Sequence, residues 1–299
     1  MRLFYLFLFI IVSINSHGQD YLDLLNLQYQ NTPKTDFKND TSSTQIQEYS
    51  ANITLPFKLN NKYALITGFA YDNINLSYNS QGNKLDFSGY TVQAGANIKH
   101  NTKWFGSYVI MPKWASNFRG SHSKNFQLGG AAILKKKQNE HLKYVLGLYY
   151  NSELFGPFTT PLIGLYYKEG KYEADIILPA YMDLNYVIAK NTTLGFHFRS
   201  LAKSYNLEPG TINSNDNYIV QASNETSLYF GKEFLKSFLI KAYIGHTIGR
   251  SYRVYDTKEK ISLGLSAFRF GDHRMELSND FKNGLFFRLG MAYRFYIKE

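Results

Sequence analysis

The sequence predicts an all-β protein, an antiparallel transmembrane β-barrel of about twelve strands, with fourteen or ten strands as alternatives. Three observations support this prediction: alternation of apolar and polar residues along most of the chain, an export-like N-terminus, and an alternating, aromatic-rich final segment. The composition agrees with it. The 299 residues include 25 Tyr and 23 Phe but only 19% charged residues, a balance that suits strands and membrane interfaces.

The N-terminus has the features of a cleavable signal peptide. Arg2 precedes an uncharged, apolar run of twelve residues, Leu3 to Ile14, and small residues follow at Ser16 and Gly18. A membrane-spanning helix needs about 20 apolar residues, so this run is too short to be one. We therefore expect residues 1–18 to be a signal peptide and residues 19–299 to form a single outer-membrane barrel domain.

The remaining chain repeats one pattern, a segment of roughly ten residues with a period of two, followed by a polar turn. Between Tyr90 and Ile98, for example, the even positions are apolar and the odd positions are polar or Gly. Short turns such as 59–62 alternate with longer polar linkers such as 202–216, as in outer-membrane barrels. The candidate strands cover residues 21–30, 45–56, 63–73, 89–99, 104–111, 125–135, 141–150, 161–168, 172–188, 193–201, 217–230, 237–248, 259–269 and 284–296.

Alternation alone also fits a soluble barrel, whose apolar face points inward. The polar faces here are rich in Gly, Ser, Thr and Tyr rather than in charged residues, which suits a confined interior better than a water-exposed surface. A membrane barrel has its apolar face outside, aromatic belts at both rims and a polar lumen. The pattern therefore favours an apolar face that contacts lipid.

The final segment carries the most specific signal. Apolar residues alternate without a break from Leu285 to Phe295, against Arg288, Gly290 and Arg294 on the other face. This segment resembles the terminal strand of outer-membrane barrels, although four residues follow Phe295. The resemblance implies recognition by the barrel-assembly machinery.

With the export signal and the series of hairpins, the mature chain resembles a family of uncharacterised Gram-negative outer-membrane β-barrel proteins. That resemblance implies a location in the outer membrane, among its lipid and lipopolysaccharide, and implies no activity. The oligomeric state stays open.

The residues predict no enzyme, cofactor or metal site. The chain has no Cys, and its seven His are scattered along the sequence. Outer-membrane lipid hydrolases resemble one another in placing a catalytic His two residues before a Ser, a spacing absent here. His122 directly precedes Ser123, but neighbouring side chains on an extended chain point apart.

The charge balance offers one functional hint. Lys and Arg exceed Asp and Glu by 33 to 23, but an exported chain with dispersed basic residues is not expected to bind nucleic acid. The apolar-out arrangement instead turns several basic residues toward the lumen, where they would favour anions unless carboxylates pair with them. These residues are Arg199, Lys241, Arg288, Arg294 and His197.

Three functions remain compatible with the sequence. The first is a non-enzymatic outer-membrane barrel, either a narrow passive pore or a scaffold that presents external loops. The second is an outer-membrane enzyme that modifies lipid or lipopolysaccharide, with a site near His122, Ser123 or a lumen carboxylate. The third is a soluble periplasmic barrel that binds a small apolar ligand.

Overall fold

A computed structural model describes most of residues 21–296. The predicted signal peptide and the His122–Ser123 pair lie outside the described residues. All regular elements of the described residues are strands, and those residues contain no helix long and apolar enough to cross a membrane. The described residues are 21–38, 43–77, 84–119, 125–278 and 280–296.

Sixteen strands follow one another along the chain. They are β1 (Tyr21–Asp36), β2 (Ser43–Lys58), β3 (Tyr63–Ser77), β4 (Lys84–Lys99), β5 (Trp104–Ser116), β6 (Phe126–Lys137), β7 (Leu142–Glu153), β8 (Gly156–Glu169), β9 (Tyr172–Leu178), β10 (Tyr181–Ala189), β11 (Thr192–Leu207), β12 (Asn217–Phe234), β13 (Phe238–Asp256), β14 (Leu263–Leu265), β15 (Phe268–Phe270) and β16 (Leu285–Tyr296).

Fourteen of these strands form a closed antiparallel barrel. The order runs from β1 to β13 and then to β16, which pairs with β1 and closes the ring. The preferred count of twelve strands is therefore not confirmed, whereas the alternative of fourteen is. Residues 172–188 form two strands, β9 and β10, and residues 259–269 fall on the β14–β15 hairpin outside the ring.

The apolar face points outward, as predicted for a membrane barrel. Ile163 and Leu228 are 66% and 63% exposed, whereas their neighbours Leu162 and Ser227 are only 5% and 4% exposed. Both ends of the described chain and all the short turns except β7–β8 and β9–β10 lie at one end of the barrel, which we call the short-turn end. The longer connections lie at the other end, which we call the loop end.

Aromatic rings form two belts around the outer surface, as expected at the two membrane interfaces. Towards the loop end, Tyr29 and Tyr49 stack with their ring centres 4.9 Å apart. Towards the short-turn end, Tyr172 and Tyr186 stack with their centres 4.8 Å apart. The outer face between the belts is the part of the wall that contacts the membrane.

The barrel narrows at the loop end. There β11 lies next to β5, with Asn206 opposite Ser116, and Asn117 N donates to Asn206 O at 3.1 Å. This contact closes a smaller ring of nine strands, β1–β5, β11–β13 and β16, which we call the upper ring. Residues 202–207, which the sequence assigned to a long loop, are therefore strand. The prediction failed because residues 204–207 are buried on both faces and show no alternation of buried and exposed side chains.

The upper ring is filled by an apolar core. Its members come from the strands of that ring and from residues next to them, and they include Phe87 and Tyr205, whose ring centres lie 4.7 Å apart. A closed barrel of about eight strands is narrow enough for its own side chains to fill. The loop end therefore has a packed interior, like that of a soluble protein.

Candidate functional site

Below the upper ring, the fourteen-stranded part of the barrel encloses a polar lumen. At mid-height Glu225 binds two guanidinium groups: Arg199 Nε donates to its Oε2 at 2.6 Å, and Arg288 donates to the same oxygen. Gln30 Oε1 accepts from Arg288 Nε at 2.8 Å, while Gln30 Nε2 donates to Glu225 at 3.1 Å. Glu48 lies 3.8 Å from Arg199. Each buried charge at this level therefore has an opposite charge beside it.

A second cluster lies closer to the short-turn end. Asp183 Oδ2 lies 3.1 Å from His197 Nδ1 and 3.5 Å from Lys241 Nζ. Tyr229 Oη donates to Asp183 Oδ1 at 2.7 Å, and Lys241 Nζ lies 4.2 Å from the centre of the Tyr229 ring. The Asp183 carboxylate thus serves as the shared partner of one lysine and one histidine.

The third cluster lies at the short-turn mouth. Arg294 donates from Nε to Asp23 Oδ1 at 2.8 Å and from Nη2 to Oδ2 at 3.2 Å, a bidentate pair. The same guanidinium lies 3.4 Å from the centre of the Tyr21 ring. Tyr21 Oη in turn donates to Glu173 at 2.9 Å. These contacts tie β1, β9 and β16 together across the mouth.

The structure places all five basic residues singled out in the sequence on the inner wall. It brings Arg199 and Arg288 together, brings His197 and Lys241 together, and leaves Arg294 at the mouth. Each of them faces a carboxylate. The anion-favouring lumen that unpaired basic residues would create is therefore largely neutralised, and the alternative in which carboxylates pair with them fits the structure better.

Sequence reasoning missed the acidic partners Asp23, Asp183 and Glu225. A usable signal was present for Glu225, because it shares the inward-facing alternation of its strand with Ser227 and Tyr229. The strand pairings that bring the acidic residues close to the basic residues could not be predicted from the sequence. Gln30 and Arg288, for instance, are 258 residues apart in the chain.

A cavity of about 210 Å³ opens beside the mouth, and we call it the vestibule. Lys168, Lys171, Lys241 and Arg294 line it together with two acidic residues, Glu173 and Glu233, and with aromatic rings. Further up, between the middle cluster and the upper ring, lies a smaller space of about 40 Å³ beside Glu48, Asp72 and Arg199. The apolar core of the upper ring lies above it.

The lumen also contains an arrangement that resembles the parts of a hydrolase. Asp183, His197 and Ser227 are in register on the adjacent strands β10, β11 and β12. Asp183 binds the His197 ring at Nδ1, but Ser227 Oγ donates to the His197 backbone carbonyl at 3.4 Å. A serine nucleophile needs its hydroxyl bonded to the ring nitrogen of the base. Among the described residues, no hydrogen bond joins Ser227 to that ring.

Metal chemistry has no support in the same part of the chain. Within residues 21–38, 43–77, 84–119, 125–278 and 280–296, no three His, Asp or Glu side chains are grouped so that they could bind a metal ion.

The comparisons with known proteins agree with the fold. Residues 20–294 match a protein family described as Domain of unknown function (DUF6268). No curated protein matches the chain in sequence. Among solved structures, an outer membrane channel from Pseudomonas putida F1 aligns with a TM-score of 0.50 and 11% identity, covering 95% of this chain and 100% of that one. At this identity the match supports the fold alone.

Two further structures align less closely. The P. putida toluene transporter TodX gives a TM-score of 0.41 at 10% identity, covering 92% of this chain and 89% of the transporter. The translocator domain of the autotransporter NalP from Neisseria meningitidis gives 0.36 at 9% identity, covering 94% and 91% of the two chains.

Proposed function

Because the chain belongs to the DUF6268 family, a family of unknown function, we propose a function from the geometry of its own barrel. The protein is a channel of the outer membrane that passes small molecules through the lower lumen, and its upper ring blocks the straight path to the loop end. The short-turn end faces the periplasm, as in other outer-membrane barrels.

The vestibule is the observation that carries this proposal. A barrel that served only to display loops would need no cavity at its periplasmic mouth, yet here about 210 Å³ opens there between charged and aromatic side chains. The wall around it is polar and charge-paired, as expected for a surface that contacts water and solutes. An enzyme is less well supported, because Ser227 and the His197 ring share no hydrogen bond among the described contacts.

Conductance in planar bilayers tests the proposal. In the test variant, an Asn-Gly turn replaces residues 202–222 and joins Leu201 to Ser223, which already face each other across β11 and β12. The shortened β11 keeps ten residues, 192–201, enough for a tilted strand to cross the membrane. We expect this variant to give frequent, stable conductance steps, because it removes the parts of β11 and β12 that belong to the upper ring.

The matched control replaces only the exposed tip of the same hairpin, Ser214 and Asn215, by two Gly, and leaves β11, β12 and the core contact of Ile212 intact. It should conduct as rarely as the unmodified protein. If the deletion of residues 202–222 folds, as judged by heat-modifiable gel mobility, and still conducts no ions, the channel proposal is wrong and a closed scaffold replaces it.

A further inference from the structure

The barrel wall has a gap between β8 and β11. Strands β9 and β10 have only seven and nine residues, whereas β8 has fourteen and β11 has sixteen. Towards the loop end, the pairing of β8 with β9 stops at Ile163, which lies opposite Leu178. The pairing of β11 with β10 stops at Arg199, which lies opposite Tyr181. Above the β9–β10 turn the two neighbouring strands therefore continue without a strand between them. We call this gap the notch.

The notch is bounded on every side. Its floor is the β9–β10 turn, where Ser200 N donates to Ala180 O at 2.8 Å. Its roof is the β7–β8 turn, where Leu154 N donates to Ser204 Oγ at 2.8 Å and Ser204 N donates to Glu153 Oε2 at 2.8 Å. Its side on β8 is the edge of residues 160–162, a height of about 10 Å at 3.3 Å per residue.

This free edge lies at membrane height. Thr159 is opposite Tyr150, an exposed aromatic residue of the outer face, and Pro161 is opposite Leu148, which is 52% exposed on the lipid-facing side. An unpaired strand edge is costly in lipid, where no water satisfies its backbone groups. Pro161 has no N–H, so this edge is also poorly suited to pair with a strand from another protein.

A small flap covers the upper part of the notch. The β14–β15 hairpin extends the sheet from β8 through two pairs only, Gly264 opposite Phe158 and Leu265 opposite Thr159. Ser266 N donates to Thr159 O at 3.0 Å. On its outer side, Phe268 is 67% exposed. The flap thus presents an apolar surface and is held to the wall by few hydrogen bonds.

Two apolar clusters lie on the inner wall behind the notch. One cluster, under the flap, packs Phe155, Phe158 and Val220 with Ala202 at its edge. A second cluster lies lower on the inner wall and packs Val145, Leu162 and Ile177 against Ala180. The second cluster is on the same side of the lumen as the vestibule, which is lined by residues of β8, β9 and β10. The ion pairs begin at the lower edge of the notch, where Asp183 on β10 and Arg199 on β11 face the lumen.

We propose that the notch is a lateral portal through which small apolar molecules pass between the membrane and the lumen, with the β14–β15 hairpin as its movable flap. The inference rests on the proposed channel function and names its route and substrate class. The packed upper ring leaves no straight exit, and the notch connects an apolar inner wall directly to lipid. The two apolar clusters behind the notch favour apolar molecules over polar ones, because a polar group that leaves water for an apolar wall loses hydrogen bonds.

A disulfide that locks the flap tests this proposal, and the absence of native Cys means that engineered pairs have no competing thiols. The test pair is Thr159→Cys with Leu265→Cys, two residues that face each other across β8 and β14. The control pair is Ala132→Cys with Leu148→Cys, which face each other in the continuous wall between β6 and β7.

The readout is the entry of N-phenyl-1-naphthylamine, a neutral aromatic dye, into energy-depleted cells whose outer membrane is intact. Oxidation of the test pair should slow dye entry by about fivefold and reduction should restore it, whereas the control pair should change it by less than about twofold in either state. The reduced form of each variant serves as its own folding control. Equal dye entry with the test pair oxidised and reduced would overturn the proposal.

Two further measurements separate the remaining outcomes. Replacement of residues 262–271 by two Gly should raise dye entry several-fold, because it removes the flap, and an unchanged rate would contradict the proposal. A single Pro161→Cys variant, at an exposed position of the free edge, should stay monomeric on oxidation; a disulfide-linked dimer would mean that the notch is an interface between copies and not a portal. If the conductance test fails, the channel function itself is wrong, whatever the flap does.

Discussion

The interior of this barrel is filled differently at its two ends. At the loop end nine strands enclose a core in which Phe37, Phe281 and Tyr252 pack ring against ring. In the lower part fourteen strands enclose a lumen whose contacts are mainly ion pairs and hydrogen bonds, centred on Glu225 and Asp183. Apart from the notch, both walls are built from paired strands, so the wall alone does not decide what fills the interior.

The difference follows from the width of each ring. Side chains from about eight strands meet at the centre of a barrel, whereas a wider ring leaves space that water or long polar side chains must occupy. By pairing β11 with β5, the chain reduces fourteen strands to nine and obtains an interior narrow enough for apolar packing. The five strands β6–β10 are left out of the upper ring, and the two shortest of them, β9 and β10, leave the notch between β8 and β11. The closed end therefore follows from one strand pairing, whereas the lateral gap follows from the lengths of β9 and β10.

The largest effect that we expect from a single substitution is at the apolar end. Phe281→Ala removes a ring that is 1% exposed and stacks on Phe37 with ring centres 4.8 Å apart. Such a truncation leaves a cavity and should lower the free energy of unfolding by about 3–5 kcal/mol. The matched control, Phe268→Ala, removes a ring that is 67% exposed and should change it by less than about 0.5 kcal/mol.

Urea titration, followed by the fraction of protein that keeps the gel mobility of the folded barrel, measures both changes. Equal midpoints for the two variants would contradict the view that the upper ring is packed like a soluble core.

The second effect is at the polar end. Glu225→Ala leaves Arg199 and Arg288 buried without the carboxylate that both of them bind, and should destabilise the barrel by about 3 kcal/mol. Adding Arg288→Met removes one of the unpaired charges and should recover part of that loss, because an apolar side chain needs no counter-ion.

The same urea titration distinguishes the two variants. If the double variant is less stable than the single variant, the Arg288 contacts stabilise the barrel independently of Glu225, and the lower lumen is not organised around this carboxylate.

The sequence predicted the wall well because lipid favours apolar side chains and the lumen favours polar ones, and neighbouring residues of a strand face these two environments in turn. The alternation from Leu285 to Phe295 gave the orientation of β16, and the same rule turned Arg199 and Lys241 inward. Where a segment lies between two protein surfaces, the rule fails. Residues 204–207 are buried on both faces, and the sequence therefore predicts a loop where the structure has a strand. The short lengths of β9 and β10 cannot be recognised from the alternation either.

The pairing of charges could not be predicted for a different reason. The partners lie on strands far apart in sequence, as with Arg294 and Asp23, 271 residues apart, and their contact depends on the strand count and on ring closure. A barrel of twelve strands would have brought other residues face to face. The sequence therefore predicts which basic residues face inward, whereas only the structure shows that an acidic residue pairs with each of them.

The smallest expected effect is on ion selectivity, and it tests the polar end most directly. In the variant that lacks residues 202–222, Asp183→Asn removes the carboxylate that lies 3.5 Å from Lys241 and 3.1 Å from His197. The unopposed positive charge should raise the permeability of chloride relative to potassium by about twofold to fivefold, measured as a shift of the reversal potential in a salt gradient. Glu140→Gln removes an equal charge from an exposed short turn outside the lumen and should leave the ratio unchanged. Equal ratios in the two variants would mean that ions bypass the Asp183 cluster.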